Sequence, residues 1–345
     1  MFPTIHLRQA VFKHVIWPSD AIRADSDVRP PRILDLAAGL ACAAMLTIPL
    51  AVAPDVAVDD MISQAQSDND GTAAQAATDA ASDKRAAYAP QREFVIGAYT
   101  GSPYTYDSTV TLNDGGDNAF QVDGVQWRGE PFIDPIYYGI RIQRWFEGGR
   151  TGTMLDFTHS KAIGEKEEDI AIKGLLDGET VDATKKLNEV FDRLEFSHGH
   201  NMLTLNGLFR LANLGPRLSP YVGIGAGVNL PHAEAQLQTA DTRTYEYQYT
   251  GPVVQGLIGI EFRVPRLSYY LEYKFSFASY DMPLSGLDGT EIGLFADLYR
   301  QFANWWSGEP PPGGRLQTQL LSHQWIGGVG FRIATPSPAD VPAAP

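Results

Sequence analysis

An all-β fold, an eight-stranded antiparallel up-and-down outer-membrane β-barrel with long external loops, is predicted by three features of this 345-residue sequence. Apolar and polar residues alternate along eight segments, and short and long connections alternate between these segments. Beyond the N-terminal region there is no run of about 18 apolar residues, so no membrane helix is predicted there. Barrel strands are apolar at every second position, which is compatible with 44% apolar and 20% charged residues.

The segment from 268 to 283 shows the alternation most clearly. Its odd-numbered positions from 269 to 277 hold Tyr, Leu, Tyr, Phe and Phe, whereas Glu272, Lys274 and Ser276 lie between them. Successive side chains of a strand point to opposite faces, so one face is aromatic and the other is polar. This pattern predicts a strand with lipid on one side and a polar barrel interior on the other.

The other segments follow the same pattern along the chain. The eight segments are roughly 93 to 111, 134 to 146, 151 to 163, 196 to 212, 218 to 235, 244 to 264, 268 to 283 and 316 to 333. The tight connections EGGRTG, NLGPR and PRL alternate with longer ones at 112 to 133, 164 to 195, 236 to 243 and 284 to 315. Short periplasmic turns and long external loops are typical of outer-membrane barrels.

The interior of such a barrel is expected to be filled by side chains, because eight strands leave no room for a wide pore. Polar residues of both charge signs occupy the inward positions: Arg141, Gln143, Asp156, Asn206, Arg210, Glu261, Arg263, Glu272, Lys274 and Arg332. They predict a hydrogen-bonded, charge-paired interior in preference to an ion pathway. Function is therefore expected on the loops, at the rim or on the outer wall.

The third connection is predicted to contain a helix. Asp182 can cap residues 183 to 195, in which apolar residues recur with helical spacing at Leu187, Val190, Phe191 and Leu194. We expect this helix to pack the loop down, with a lid over the barrel mouth or a position on the membrane surface as alternatives.

Residues 1 to 54 are predicted to be an N-terminal extension followed by a signal peptide. Basic residues precede the apolar stretch from 36 to 53, which ends in the small-residue triplet Ala51-Val52-Ala53. The alternative is an N-terminal transmembrane anchor. Residues 55 to 91 predict a disordered periplasmic leader, residues 92 to 333 the barrel, and residues 334 to 345 a disordered tail.

Export by this signal predicts a location in the outer membrane of a Gram-negative cell. The only cysteine, Cys42, lies within the signal, so we expect no disulfide in the mature protein. The net charge of −14 and the lack of a basic stripe disfavour nucleic acid as a partner. We expect a monomer in contact with lipopolysaccharide.

Five histidines lie near the external ends of the predicted strands. Roughly ten residues of a tilted strand cross the hydrocarbon, so these histidines are expected in the outer leaflet or just above it. Imidazole binds metals and acts as a base near neutral pH. The candidate catalytic residues are His159, His198, His200 and His323, and the candidate ligands of a divalent or redox-active metal are Asp156, His232 and Glu234.

The face of the strand on which each of these residues lies determines which side chains can contact one another. Asp156 and His159 lie on the third predicted strand and His198 and His200 on the fourth, which is its neighbour. The alternation along the third predicted strand puts His159 on the lipid-facing side, whereas the alternation along the fourth puts His198 and His200 on the opposite side. The alternative for each histidine is interfacial packing, with hydrogen bonds to the loops.

Several stretches of the barrel carry a resemblance to a known family: EFVIGAYTGSPYTY, IYYGIRIQRW, MLDFTHSKAI, SHGHNMLTLNGLFR, SPYVGIGAGVNLPHAE, YTGPVVQGLIGIEFR, YLEYKFSF and SHQWIGGVGFRI. The motifs D-F-T-H, S-H-G-x-N and P-H-x-E match residues 156 to 159, 197 to 201 and 231 to 234. Most of residues 93 to 333 resemble the small outer-membrane barrels known as lipid A oxidases.

The resemblance implies oxidation of the proximal glucosamine of lipid A to 2-aminogluconate by O2, with hydrogen peroxide as the second product. In such a reaction the rim histidines, with Asp156 or Glu234, would act as metal ligands or as a base at the C1 hydroxyl. No nucleotide-binding glycine fingerprint occurs in the sequence, so a metal such as iron or copper is the expected cofactor.

The rival function is a noncatalytic barrel with a structural, adhesive or lipid-binding role. Three rim histidines within metal-ligand distance would favour the enzyme, and scattered ones would favour the rival. Lipid A hydrolysis is disfavoured, because Ser160 and Ser322 point to the faces opposite to their neighbours His159 and His323.

Overall fold

The structure of the chain is a computed structural model, and it describes residues 91–215, 217–309 and 313–334. The predicted signal peptide, nearly all of the leader and almost all of the C-terminal tail lie outside these residues. Among the described residues, no helix has the length and hydropathy that would be needed to cross a bilayer.

Eight antiparallel strands close into a ring. In ring order they are β1 (Glu93–Thr105), β5 (Tyr138–Trp145), β6 (Thr151–Gly164), β9 (Phe191–Arg210), β10 (Leu218–Asn229), β13 (Gly251–Arg263), β14 (Leu267–Pro283) and β15 (Arg315–Ala334). The last strand, β15, pairs with β1 along thirteen residue pairs from Glu93 to Thr105 and closes the ring. The predicted eight-stranded barrel is therefore confirmed, and each predicted segment overlaps one strand of the ring.

Seven shorter strands extend the external end. The strands β2 (Ser108–Asn113), β3 (Ala119–Val125), β7 (Asp169–Leu176) and β8 (Glu179–Lys186) follow one another from the upper part of β15. The short β4 (Trp127–Arg128) pairs with β6, while β11 (His232–Leu237) and β12 (Thr244–Tyr247) form a hairpin beside β9. Three predicted segments extend beyond their ring strands into β2, β11 and β12, respectively.

The helix predicted in the third connection is wrong. Residues 183 to 195 form the end of β8, a single 3₁₀ turn at Leu187–Glu189 and the start of β9. Among the described residues of the last loop, an α-helix is found instead at α1 (Leu294–Ser307). The four apolar residues of the predicted stripe are buried, but the 3₁₀ turn between two strands accounts for their spacing.

A belt of exposed apolar side chains surrounds the ring on its outer face. It contains Ile96, Ile140, Ile142, Leu155, Leu205, Phe209, Ile224, Val254, Ile258, Leu271, Phe275 and Phe331. The external edge of the belt lies near Tyr138, Leu203, Val254 and Trp325, and the parts of the ring strands below this edge are the membrane-spanning segments. An outward apolar belt of this size in contact with water would be unfavourable, whereas lipid covers it.

The interior is charge-paired, as the sequence predicted. Arg141 donates two hydrogen bonds of 3.0 Å to Glu272, and Lys274 donates one of 2.8 Å to Asp156. At the periplasmic end, the buried carboxylate of Glu93 pairs with Arg210, and further arginines surround it. All ten polar side chains that the sequence assigned to the interior are buried.

The external mouth is closed by an apolar core. Side chains from β2, β3, β7 and the upper parts of β6, β9, β14 and β15 meet there, with Phe120, Ile172, Phe191, Phe196 and Tyr280 among the larger ones. The long loops therefore extend the barrel as packed sheet. The buried faces of these loop strands point inwards, so the charged residues of the loops lie on the outer wall and at the rim.

Candidate functional site

A bulge between β6 and β9 decides which histidines meet. Ser160 pairs with His200 and Ala162 pairs with Phe196, so the three residues from 197 to 199 lie opposite the single residue Lys161. Gly199 has a φ of 145°, a conformation that favours glycine. The bulge lets His198 reach the outer wall while His200 points inwards.

The outer wall carries an open cleft of about 430 Å³ at the external edge of the belt, between β6, β9, the β11–β12 hairpin and the loop from 128 to 137. We call it the outer-wall cleft. Its cations are Arg128, Lys161, Arg193 and Arg243, and its carboxylates are Glu130, Asp134, Glu195 and Glu234. Ile133 lies at the edge nearest the lipid, where the neighbouring side chains Phe132 and Ile136 are also exposed.

Two of the predicted histidines meet beside this cleft. The rings of His198 and His232 are 5.3 Å apart between centroids, and both contact the ring of Tyr245. His198 Nε2 lies 3.3 Å from a carboxylate oxygen of Glu291, and the Tyr245 hydroxyl donates a hydrogen bond of 3.2 Å to the same oxygen. Glu291 therefore connects the loop before α1 to the edge of the cleft.

The environment of His232 keeps its imidazole neutral. The ring is fully buried and packs edge-on against Tyr245 and Tyr247, with centroid distances of 4.3 and 4.7 Å. Burial, followed by the proximity of His198, lowers the pKa of His232 to about 4, and the Thr290 backbone opposes this shift only in part. At neutral pH the ring is an uncharged group that lies behind the cleft wall, in contact with the lining residues His198 and Tyr245.

Glu234 is the more deeply buried of the two buried carboxylates in the cleft, the other being Glu195. Arg243 Nη1 lies 3.2 Å and Arg193 Nε 4.0 Å from its Oε1. Burial, followed by the negative charge of Glu195, raises the pKa of Glu234 above its usual value, although the two arginines act against this. A carboxylate with a raised pKa accepts a proton more readily, which suits a general base.

Lys161 occupies the lower wall of the cleft. Its ammonium group donates hydrogen bonds of 3.0 and 3.1 Å to the backbone carbonyls of Ile133 and Asp134. Burial lowers the pKa of Lys161, with nearby carboxylates opposing the shift. These bonds hold the loop from 128 to 137 against the barrel wall.

The remaining predicted site residues lie apart from the cleft group of His198, His232 and Glu234. Asp156 is inside the barrel, bound to Lys274 and Arg141. His200 packs against Phe196 and Tyr280 in the apolar core.

His159 and His323 occupy two other positions on the outer wall. His159 Nδ1 is 2.8 Å from Asn201 Oδ1, and its ring stacks on Tyr138. Burial lowers the pKa of His159, while the Asn201 hydrogen bond opposes the shift. His323 lies on β15, three strands around the ring from β6, among Tyr104, Tyr106 and Tyr273.

No group of three or more His, Cys, Asp or Glu side chains arranged to hold a metal ion occurs in the described part of the chain. The three candidate ligands do not converge, since Asp156 is separated from His232 and Glu234 by the barrel wall. The described residues therefore do not fit a metal site preformed from three such ligands.

Sequence reasoning missed five residues of the cleft and its edge: Lys161, Arg193, Glu195, Arg243 and Tyr245. Arg193 and Glu195 alternate with buried Leu194, which is a strand signal inside the segment predicted as a helix. If this segment is interpreted as a strand, the alternation puts the side chains of Arg193 and Glu195 on the outer wall. Sequence alternation contains no comparable signal for Arg243, which reaches the cleft from the loop before β12.

No known protein family matches this sequence, and no curated protein matches it. Solved outer-membrane barrels are similar at low identity. The crystal structure of OprG from Pseudomonas aeruginosa is 12% identical, with 72% of this chain and 99% of that one covered and a TM-score of 0.35. The protease OmpT from Escherichia coli is 7% identical, with 70% and 97% covered and a TM-score of 0.34. Neisserial surface protein A is 8% identical, with 70% and 97% covered and a TM-score of 0.31.

The closed ring of strands and its lipid-facing belt are sufficient to identify the fold. This chain is an outer-membrane β-barrel. Its short turns and extended external sheet follow the usual orientation of such barrels, in which the long loops face outwards. The outer-wall cleft accordingly lies at the level of the outer leaflet headgroups.

Proposed function

We propose that this barrel binds lipid A in the outer-wall cleft and oxidises its proximal glucosamine to 2-aminogluconate with O2. The supporting observation is the position of the cleft, which opens sideways on the outer wall directly above the apolar belt. A lipid A molecule in the outer leaflet has its acyl chains beside the belt and its phosphorylated sugars at that height. It could enter the cleft without leaving the membrane.

The charges of the cleft suit a phosphorylated amino sugar. Arg128, Arg193 and Arg243 are partly exposed, so their guanidinium groups can bind phosphate oxygens, which Arg recognises in a bidentate manner. Glu195 and Glu234 are buried beside them and can accept hydrogen bonds from sugar hydroxyl groups. Ile133 and the exposed Ile136 can contact the first carbons of an acyl chain.

The proposed reaction removes two electrons from C1 of the sugar. The C1–H bond and the C1 hydroxyl O–H bond break, O2 receives the two hydrogens as H2O2, and water opens the resulting lactone to the carboxylate. In this scheme Glu234 accepts the hydroxyl proton, while Tyr245, which packs on the neutral ring of His232, forms part of the wall that holds the sugar. Reduction of O2 normally needs a metal or an organic cofactor, which a preformed set of three His, Cys, Asp or Glu side chains does not provide among the described residues.

Mass spectrometry of lipid A tests this proposal. Lipid A whose proximal sugar has a free C1 hydroxyl, without a phosphate at that position, is incubated with the refolded protein in detergent, with and without added iron or copper, in air and under nitrogen. The expected result is a gain of the mass of one oxygen atom in air alone. Glu234→Gln should abolish this gain, whereas His323→Ala, three strands away on the ring, should retain it. An unchanged lipid in every arm would refute the oxidase.

A second candidate is a noncatalytic barrel that binds lipid A in the same cleft. It is favoured by the observation that, among the described residues, no three ligands are arranged for a metal. Binding of lipid A that is weakened by Arg193→Gln and Arg243→Gln, without any mass change in air, would support this candidate.

A further inference from the structure

The helix α1 has two faces of opposite character. Phe295, Tyr299, Phe302 and Trp306 follow the spacing i, i+4, i+7 and i+11, which puts them on one side of the helix. Asp297, Arg300, Gln301 and Asn304 lie on the opposite side. The helix is therefore amphipathic, and the question is which face the protein itself covers.

The polar face is the one that docks on the protein. The Asp297 carboxylate accepts a hydrogen bond of 3.1 Å from the Tyr247 backbone N–H, and Arg300 donates to Glu246 and to Asp297. The Gln301 side chain accepts from the Tyr249 N–H at 2.7 Å and donates to the Tyr249 carbonyl at 3.0 Å. These bonds fix the helix to β12 and to the segment that leads into β13.

The apolar face projects away from the described part of the protein. Its side chains, together with Ile292 just before the helix and the adjacent Trp305, are between 55% and 93% exposed: Ile292, Phe295, Tyr299, Phe302, Trp305 and Trp306. Contiguous apolar patches of this size are rare on surfaces that meet only water. The polar face of α1 is covered by protein, whereas the aromatic face is exposed. This arrangement indicates that an apolar partner outside the described residues covers the aromatic face.

The position of the helix indicates what that environment is. Gln301 is bound to Tyr249, which is itself 49% exposed and lies two residues before β13 begins at Gly251. Three residues into β13 is Val254, which belongs to the lipid-facing belt. The aromatic face thus continues the membrane-contacting surface of the barrel upwards from the external edge of the belt.

We propose that α1 is an interfacial helix whose aromatic face is inserted into the outer leaflet, between the headgroups and the first part of the acyl chains. Trp and Tyr are enriched at this depth because their rings are apolar while their N–H and O–H groups still reach water. An amphipathic helix that lies in the plane of the interface buries its apolar face to a similar depth. Insertion of α1 would not depend on any chemistry in the outer-wall cleft.

Tryptophan fluorescence of the full-length protein in vesicles tests the proposal. The protein is reconstituted in phosphatidylcholine vesicles that carry bromine either high or low on the acyl chain, and in unbrominated vesicles. The difference between the wild type and the W305F/W306F variant reports the two helix tryptophans. We expect this difference signal to be blue-shifted, protected from aqueous iodide and to lose most of its intensity in vesicles brominated close to the headgroup.

Two other tryptophans provide controls. Trp325 faces lipid in the belt, so the emission lost in Trp325→Phe should also be quenched by brominated lipid, whereas the interior Trp145 should not be affected. A second variant, with Phe295→Ser and Phe302→Ser, retains both helix tryptophans and should reduce their quenching by brominated lipid.

Two results would overturn the proposal. Quenching of the difference signal by iodide but not by brominated lipid would show that the aromatic face lies in water. Protection from both quenchers would show that protein covers the face, for example a second copy of the chain.

Discussion

Lys274 Nζ lies 2.8 Å from Asp156 Oδ2 inside the barrel, and neither side chain is exposed at all. The same ammonium group donates hydrogen bonds of 2.8 Å to the hydroxyl groups of Tyr99 and Thr158. This arrangement compensates a buried cation with one carboxylate and two hydroxyl groups. Asp156, which the sequence made a candidate metal ligand, is therefore part of an interior ion pair.

Asp156→Ala should strongly destabilise the barrel. Removing the carboxylate leaves the Lys274 ammonium and the neighbouring Arg141 with less negative charge in the interior, and breaking such a buried pair costs about 3–5 kcal/mol. The free energy of unfolding in urea, measured in lipid vesicles, checks this. Asp182→Ala removes a surface partner of Lys173 and should cost no more than about 1 kcal/mol. Equal losses for the two variants would contradict the prediction.

Gly225→Ala should destabilise the barrel because its interior is already filled. A Cβ atom at this position would lie 2.1 Å from Asn206 Oδ1, the oxygen that accepts a hydrogen bond from Gln255. Overpacking of this kind costs about 1–3 kcal/mol. Gly256→Ala is the matched control, because a Cβ there meets no atom within 4 Å. Urea unfolding should separate the two variants, and a neutral Gly225→Ala would show that the interior can rearrange.

His232 should make the protein less stable in acid. Its pKa is about 4 in the folded protein and 6.5 in the unfolded chain, so between these values the unfolded state binds more protons and stability falls as the pH falls. The loss attributable to this one group is about 2 kcal/mol on going from about pH 7 to about pH 5. His232→Phe cannot titrate, so its unfolding free energy should depend less on pH. Parallel pH curves for the two proteins would argue against a neutral, buried imidazole.

The alternation of the sequence predicted the eight ring strands, because each strand separates lipid from a polar interior along its whole membrane-spanning length. The same physical constraint located the ten interior polar residues. Above the belt the constraint changes, since the upper strands pack an apolar core on their inner side. Three consecutive strand residues opposite Lys161 then alter the parity of β9. Regular alternation puts residues 198 and 200 on the same face of a strand, so it could not predict that His198 and His200 lie on different faces.

The helix was misplaced for a related reason. The apolar residues at 187, 190, 191 and 194 have helical spacing, but a 3₁₀ turn and a strand bury them in the same core. In α1 the spacing of Phe295, Tyr299, Phe302 and Trp306 was present in the sequence, with Gly293 and Gly308 on either side. The apolar face of α1 points away from the core, so a prediction based on helices that pack on the core does not identify it.

The contact between Arg243 and Glu234 yields a prediction for the pH dependence of lipid A oxidation. In the proposed oxidation Glu234 must be deprotonated to act as the base, and its raised pKa means that this activity should fall on acidification at a higher pH than for an ordinary glutamate. Arg243 lies 3.2 Å away and lowers this pKa, so Arg243→Gln should raise it further. The midpoint of the acidic limb of the pH–rate profile should therefore move to higher pH in this variant.

Arg128→Gln is the matched control for this prediction, because Arg128 lines the same cleft but pairs with Glu130 and Glu165. Both variants remove one positive charge, so both should weaken binding of a phosphorylated lipid and raise KM. Of these two variants, only Arg243→Gln should move the midpoint, since Arg243 contacts the Glu234 carboxylate and Arg128 pairs with other carboxylates. A midpoint that is unchanged in Arg243→Gln, or shifted equally in both variants, would assign the base to a group other than Glu234.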